Sequence, residues 1–288
     1  EYKTFLSTTA INGRRVAKID GDTASSLSSM EDFLWLLWVT PGMNNLFIEA
    51  KSERRHFFDH LVSGFSPRYK AQLKKVTALQ KERLGVLSFR RDENWLNILE
   101  QQIAEESLTI TKTRMDFLKV LHATFKEYES DFLRPQVRIL GAIENIVENH
   151  SEENAILEIA DALKSSRQDD FEKQATNLSV HKTSWLAYHP RNQFEAENCS
   201  TGENKAFLIS LILAVTRIYQ KTKRGIPVLL LDDLMMYLDK TRRSALMREL
   251  IELNVQTFFT GTEDYLFSDM FKLSQMYHVE NSICSVRN

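Results

Sequence analysis

Pro-Val-Leu-Leu-Leu-Asp-Asp-Leu-Met-Met-Tyr-Leu-Asp, residues 227–239, decides the fold. Four aliphatic residues, 228–231, run without interruption into Asp232 and Asp233. An unbroken aliphatic run is the pattern of a parallel strand whose two faces are covered by helices. Two acids at its carboxyl end stand where open α/β sheets bind ligands. A third acid, Asp239, follows and leads into an Arg-rich helix. The stretch has two readings. One is a Walker B strand with a following D-loop, and the other is a buried strand ending in a solvated acidic turn. Taken alone it does not separate them.

The neighbours in order favour the first. Upstream, Cys-Ser-Thr-Gly-Glu-Asn-Lys at 199–205 precedes a helix that is apolar nearly all round. Ser200 or Thr201 supplies an N-cap, and Gly202 allows close backbone approach. Free N–H groups at a helix start make a ready phosphate site, although an ordinary capped helix carries the same residues. Downstream come Asp239, an amphipathic helix with Leu246, Leu250 and Leu253, a strand at 255–260, and Thr260-Gly261-Thr262. Strands alternating with helices build a parallel sheet.

Composition bounds the rest. The 288 residues hold 43% hydrophobic and 26% charged side chains, with a net charge of −2. That suits a globular protein with a core, and any nucleic-acid surface must be a local basic patch. Two cysteines, Cys199 and Cys284, make neither a disulfide framework nor a metal motif. No signal peptide is evident, and no apolar run is long enough to span a bilayer, so a cytoplasmic setting is expected.

Before this constellation, residues 2–6 and 15–19 read as strands of a hairpin turning at Asn12-Gly13. Asp20-Gly21 turns the chain again, residues 25–30 form a short helix, and residues 33–39 an apolar strand stopped by Thr40-Pro41-Gly42. Ser52 caps a helix with Phe57, Phe58, Leu61 and Val62 inward. Lys51, Arg54 and Arg55 at its start oppose the helix dipole and suit either a phosphate or a solvated basic turn. Ser66-Pro67 opens a long helical region to about Phe132. We read it as an antiparallel arm reversing at 88–92 and broken near 105–107. Lys70, Lys74, Lys75, Lys81, Arg83, Arg90 and Arg91 make its first half basic, facing either DNA or solvent. Residues 135–140 form a strand, 154–171 a helix and 177–189 a strand ending in a polar loop. His181-Lys182-Thr183 reads as surface decoration.

Several segments together resemble the RecF family of bacterial DNA repair and replication proteins. They are Cys-Ser-Thr-Gly-Glu-Asn-Lys-Ala-Phe, Leu-Leu-Leu-Asp-Asp-Leu-Met-Met-Tyr-Leu-Asp-Lys-Thr-Arg-Arg and Phe-Thr-Gly-Thr-Glu. Upstream Trp-Val-Thr-Pro-Gly-Met-Asn-Asn-Leu-Phe, Ser-Glu-Arg-Arg-His-Phe-Phe-Asp and Ser-Pro-Arg-Tyr also match, so the likeness runs in family order over residues 11–262. It implies an α/β fold: an ABC-type ATPase head, its sheet mixed or parallel, with an inserted antiparallel α-helical arm. Residues 1–65 would be the remainder of the amino-terminal lobe, 66–133 the arm, and 134–288 the carboxy-terminal part of the head.

The resemblance further implies ATP and Mg²⁺ as cofactors, binding of single-stranded or gapped DNA, work with RecO and RecR type mediators in loading recombinase, a place in the SOS response, and an ATP-driven homodimer away from membranes. Carried over by motif, Asp232 would hold Mg²⁺ and Asp233 would polarise the attacking water. Ser200, Thr201, Gly202 and Glu203 would form the nucleotide-binding signature, in which Ser200 and Gly202 would contact the γ-phosphate of nucleotide held by the partner. Asp239 would sit at the dimer interface, and Thr262 would occupy the switch position. The loop at 40–43 carries no Gln, and Ser179-Val180-His181-Lys182 departs from the family's Gly-Pro-His-Arg.

The sequence contains no G-x-x-x-x-G-K-[ST], the loop that cradles the β- and γ-phosphates. The family's P-loop lies upstream of the point matched by Glu1, so the expectation is a chain lacking its amino-terminal strands and P-loop and poor in ATP binding by itself. The alternatives are a non-catalytic remnant acting as a DNA-binding or interaction module, or another SMC-like ATPase.

Overall fold

The computed structural model describes residues 4–11, 14–24, 29–30, 33–89, 92–222, 227–270 and 273–287. The chain divides into two compact units. The first comprises Glu1–Asn44, Ser130–Phe132 and Leu208–Asn288; the second comprises Asn45–Glu129 and Leu133–Phe207.

The first unit is built around a three-stranded parallel sheet. Strand β7 (Val228–Leu231) lies between β4 (Leu36–Val39) and β8 (Thr257–Phe259). Leu37, Val39, Leu229 and Leu231 are buried, while Val228 and Leu230 are only half-buried. The aliphatic run therefore alternates in burial and is not covered equally on both faces, a correction to the two-sided reading. Helix α7 (Thr201–Lys221) contributes its residues from Leu208 onward to this unit. Leu208, Leu211, Ile212, Val215 and Ile218 are all buried, as a helix apolar on every side must be. Tyr219 packs edge-on against Trp35, just ahead of β4, with centroids 5.8 Å apart. Helix α8 (Lys240–Leu253) lies beside α7, where the buried Arg217 and Glu249 pair at 3.4 Å and Gln220 Nε2 donates to Leu253 O.

The same unit carries two antiparallel ribbons. Strands β1 (Leu6–Ile11) and β2 (Arg14–Ile19) pair from Leu6↔Ile19 to Ile11↔Arg14. The first strand thus lies beyond the expected 2–6. Strand register decides which residues face each other, and the partners of 14–19 place the first strand at 6–11. The Asn12-Gly13 turn itself, the helix expected at 25–30 (save its last two residues), and Arg90 and Arg91 lie outside the described residues. Asp20 (φ 52°) and Gly21 (φ 93°) both take left-handed backbone and lead into β3 (Asp22–Thr23), the geometry of a primed hairpin turn. The last ribbon pairs β9 (Met276–Glu280) with β10 (Ile283–Arg287).

The second unit is mainly helical. Helix α1 (Lys51–Phe65) buries Phe57, Phe58, Leu61 and Val62 as predicted, but it starts at Lys51 after Ala50, without a side-chain cap. Ser52 lies inside its first turn and is not the cap. Arg54 is buried and donates to Phe47 O at 2.7 Å, which gives one cation at this helix start a structural partner. Helix α2 (Tyr69–Phe89) and helix α3 (Glu93–Glu127) run antiparallel, since Lys75 meets Glu106 and Arg83 meets Glu100. Asp92 caps α3 by accepting from Trp95 N. Helix α3 continues unbroken through 105–107: it contains neither Gly nor Pro, and Ile103, Ser107 and Ile110 are buried in one line. Strand β5 (Gln136–Leu140) pairs antiparallel with β6 (Ser184–Tyr188). Three helices lie between them: α4 (Ala142–Asn149), which the sequence reading missed, α5 (Glu152–Ser165) and α6 (Arg167–Lys173). The single helix expected at 154–171 divides at Ser166, whose hydroxyl turns to Leu163 O and Asp170.

Two buried arginines tie these helices together. Arg83 donates to Glu100, Asp170 and Leu163 O. It is fully buried, so it is no part of a basic outer face, and Lys75 is neutralised by Glu106 at 2.6 Å. Arg114 donates to Asp59 and Tyr69 from two of the motif segments, and to Val180 O and Thr183 Oγ1. Thr183 in turn donates to the buried Glu144. Burial pushes the Tyr69 phenol well above its ordinary range. His181 is half-buried, lies 2.9 Å from Thr77 Oγ1, and is held below the ordinary imidazole range by burial and by Arg114. It is a packed residue and not surface decoration.

Removing Arg83 leaves Asp170 buried without its cation. Arg83→Ala is predicted to lower unfolding stability by about 3–5 kcal/mol in urea titrations. A loss below about 1 kcal/mol, the scale of an exposed pair, would contradict this burial account.

Candidate functional site

One group of candidate residues forms at the carboxyl end of the parallel sheet, within the first unit. Asp232 N donates to Val39 O at 2.9 Å and Thr260 N to Leu231 O at 3.1 Å, so the ladder reaches the last residue on each side. Asp232 is exposed and its Oδ1 accepts from Thr260 Oγ1. Asp233 N donates to the same Thr260 oxygen at 3.1 Å. Asp233 has left-handed backbone (φ 52°, ψ 14°) and opens the 3-10 turn Leu234–Tyr237. That conformation is uncommon outside glycine but enriched in Asp. It ends strand alternation, which would have sent the two acids to opposite faces.

Thr260 is the residue that sequence reasoning missed. Its only sequence signal is its place as the first residue after β8, and the reading favoured Thr262 instead. Thr262 lies two residues on, in an exposed bend. Gly261 between them is required by packing, because a Cβ there would fall 2.7 Å from Phe267 Cζ. Asp239 is exposed and caps α8, accepting from Arg242 N at 2.8 Å. After β4, the 3-10 turn Pro41–Asn45 offers no Gln, but it does hold an amide. Asn44 Oδ1 is buried with no hydrogen-bond partner among the described residues.

A separate group of candidate residues stands at the start of α7, within the second unit. Ser200, not Thr201, is the N-cap. Ser200 N and Oγ both donate to Glu203 Oε2 at 2.8 Å, and Glu203 N faces Ser200 Oγ at 3.3 Å. This reciprocal pairing is a capping box. Thr201 is exposed and Gly202 half-buried in the first turn. Glu203 Oε1 lies 3.4 Å from His189 Nε2, and His189 Nδ1 accepts from Arg191 N and Asn192 N. Because Nδ1 is an acceptor, the proton sits on Nε2 and faces the carboxylate. The Ser200 N–H, then its hydroxyl, hold the Glu203 carboxyl below its ordinary range. Burial and Glu203 push the Cys199 thiol up, so it is not an activated nucleophile.

Among the described residues no cluster of three His, Cys, Asp or Glu could hold a metal ion, and no helix is long and apolar enough to cross a membrane. Any cation at Asp232 must complete its shell with hydroxyl, water or phosphate oxygens, which suits Mg²⁺.

A Glu203→Gln change keeps the capping box, whereas Glu203→Ala is predicted to cost about 0.5 kcal/mol in denaturant titrations at pH 7. A depressed folded pKa contributes stability above the unfolded value and loses it as pH falls. The gap between wild type and Glu203→Ala therefore narrows below about pH 4. A gap that widens on acidification would contradict the assignment.

The chain is 32% identical over 264 residues to the DNA replication and repair protein RecF of Rickettsia bellii, covering 91% of this chain and 72% of that protein. It is 32% identical over 252 residues to that of Rickettsia conorii, covering 87% and 69%. No family model matches the sequence. Among solved structures, the recombination mediator protein RecF of the RecFOR pathway aligns in its ATPrS form with a TM-score of 0.82 and 21% identity, over 99% of this chain and 76% of that one. Its ATP form aligns at 0.79 with 22% identity, over 96% and 74%. At those identities the structures establish a common fold, of the α/β class that the resemblance implies. The sequence relatives go further: over nine-tenths of its length, this chain belongs to the RecF family.

Proposed function

We propose that the protein is an ATP-dependent DNA-binding protein of recombinational repair and replication-fork maintenance. It binds single-stranded or gapped DNA, supports recombinase loading with RecO and RecR type mediators, and dimerises head to head with nucleotide. The single observation that carries the reading is the grouping of Asp232, Asp233 and Thr260 at the carboxyl end of a parallel sheet. It is supported by family membership across nine-tenths of the chain. Residues 66–133 serve as the helical arm, flanked by the head segments 1–65 and 134–288.

The residues fit Mg²⁺, since Asp232 offers a hard oxygen beside a hydroxyl. The 288 residues do not supply a β-phosphate cradle, because they contain no G-x-x-x-x-G-K-[ST]. Asp232 would hold Mg²⁺, which would supply charge neutralisation there, and Asp233 would accept a hydrogen bond from a water and orient it. Ser200 and Gly202, at the α7 amino terminus, would contact the γ-phosphate of nucleotide held by a partner protomer, and Asp239 would stand at that interface. For the serine to do so, the Glu203 carboxylate must yield the hydroxyl it now accepts from.

The DNA face is the exposed side of α2. Once buried Arg83 and paired Lys75 are set aside, Lys74 and Lys81 remain exposed, two turns apart on one side. In fluorescence-anisotropy titrations the chain binds a gapped duplex more tightly than a blunt one. Lys74→Glu with Lys81→Glu weakens binding and lowers the log–log salt slope by about 2. An unchanged slope would make the patch solvated surface, and equal affinity for both duplexes would sink the junction preference.

A further inference from the structure

We propose that Thr260 is a positioning residue for the metal chemistry at Asp232 and Asp233, an inference that rests on the ATPase reading above. Its backbone is pinned first: Thr260 N donates to Leu231 O at 3.1 Å, which ties the end of β8 to the end of β7. Its side chain is β-branched and so restricted about χ1. Within that frame the hydroxyl has two tasks. It accepts from Asp233 N at 3.1 Å, and its one proton then goes to Asp232 Oδ1. With both directions occupied, the hydroxyl has no free rotor.

Two consequences follow for the acids. Asp232 is held through Oδ1, while its Oδ2 makes no hydrogen bond among the described residues and is open to a hard cation. Asp233 keeps its left-handed backbone because its own N–H is anchored. One hydroxyl therefore sets the rotamer of the first carboxylate and the backbone of the second. Behind it, Gly261 admits the Phe267 ring to a distance that any Cβ would block, closing the loop onto the sheet end. Outer partners of this kind orient ligands that would otherwise sample several rotamers.

Mn²⁺ is the probe, titrated against the full chain without nucleotide and read by its EPR signal. Thr260→Val keeps the branched shape and removes the hydroxyl; Thr260→Ser keeps the hydroxyl. Thr260→Val is expected to weaken Asp232-dependent Mn²⁺ binding about tenfold, while Thr260→Ser stays within about threefold of wild type. Hydrogen exchange at the Asp233 amide should accelerate in Thr260→Val alone, with the thermal midpoints of both variants unchanged. If Thr260→Val binds like wild type while Asp232→Asn does not bind, the positioning role fails and the metal reading stands. Equal weakening by Val and Ser also overturns the role of the hydroxyl. If wild-type binding does not depend on Asp232, the metal reading itself falls, and the proposal with it.

Discussion

The pairing of β7 with a parallel neighbour on each side is the constraint on which the site depends. Leu231 stands opposite both Val39 and Phe259. The three strands therefore end together, and the residues that follow them, Thr40, Asp232 and Thr260, emerge along one edge. A slip of one residue would turn the buried Leu229 and Leu231 outward and carry Asp232 away from Thr260. Burial of alternate leucines is thus what aims the chemistry, although none of those leucines takes part in it.

The reach of sequence reasoning follows the range of each interaction. The Ser200–Glu203 capping box lies within four residues, and the helix start is legible in the sequence, while the choice of Ser200 over Thr201 comes from the structure. The aliphatic run ending in Asp232 and Asp233 was legible as a strand, because hydrophobic pattern and turn chemistry agree there. Thr260 was not legible as a partner, because its contact with Asp233 spans 27 positions and exists only through strand register. The break expected near 105–107 is absent because this stretch holds neither Gly nor Pro, and a helix carries polar residues without stopping. One member of that stretch, Ser107, is fully buried.

Charge was the hardest quantity to read. Arg83 looked like one cation of a basic face, yet its partners Glu100 and Asp170 lie 17 and 87 positions away, and the three form a buried cluster. Arg114 behaves alike, joining Asp59 and Tyr69 from separate motif segments. Those segments matched the family pattern, and the structure gives part of them an architectural task. Once such arginines are removed from the tally, the electrostatic case for a nucleic-acid face narrows to a few exposed lysines on α2.

Asp232, held by Thr260, is the proposed metal ligand at the sheet end. Anomalous diffraction from crystals of the chain soaked in Mn²⁺ tests this most directly. A peak bound to Asp232 Oδ2, with Oδ1 still held by Thr260, is the predicted result. Manganese sites elsewhere on the protein, with none at Asp232, would contradict it.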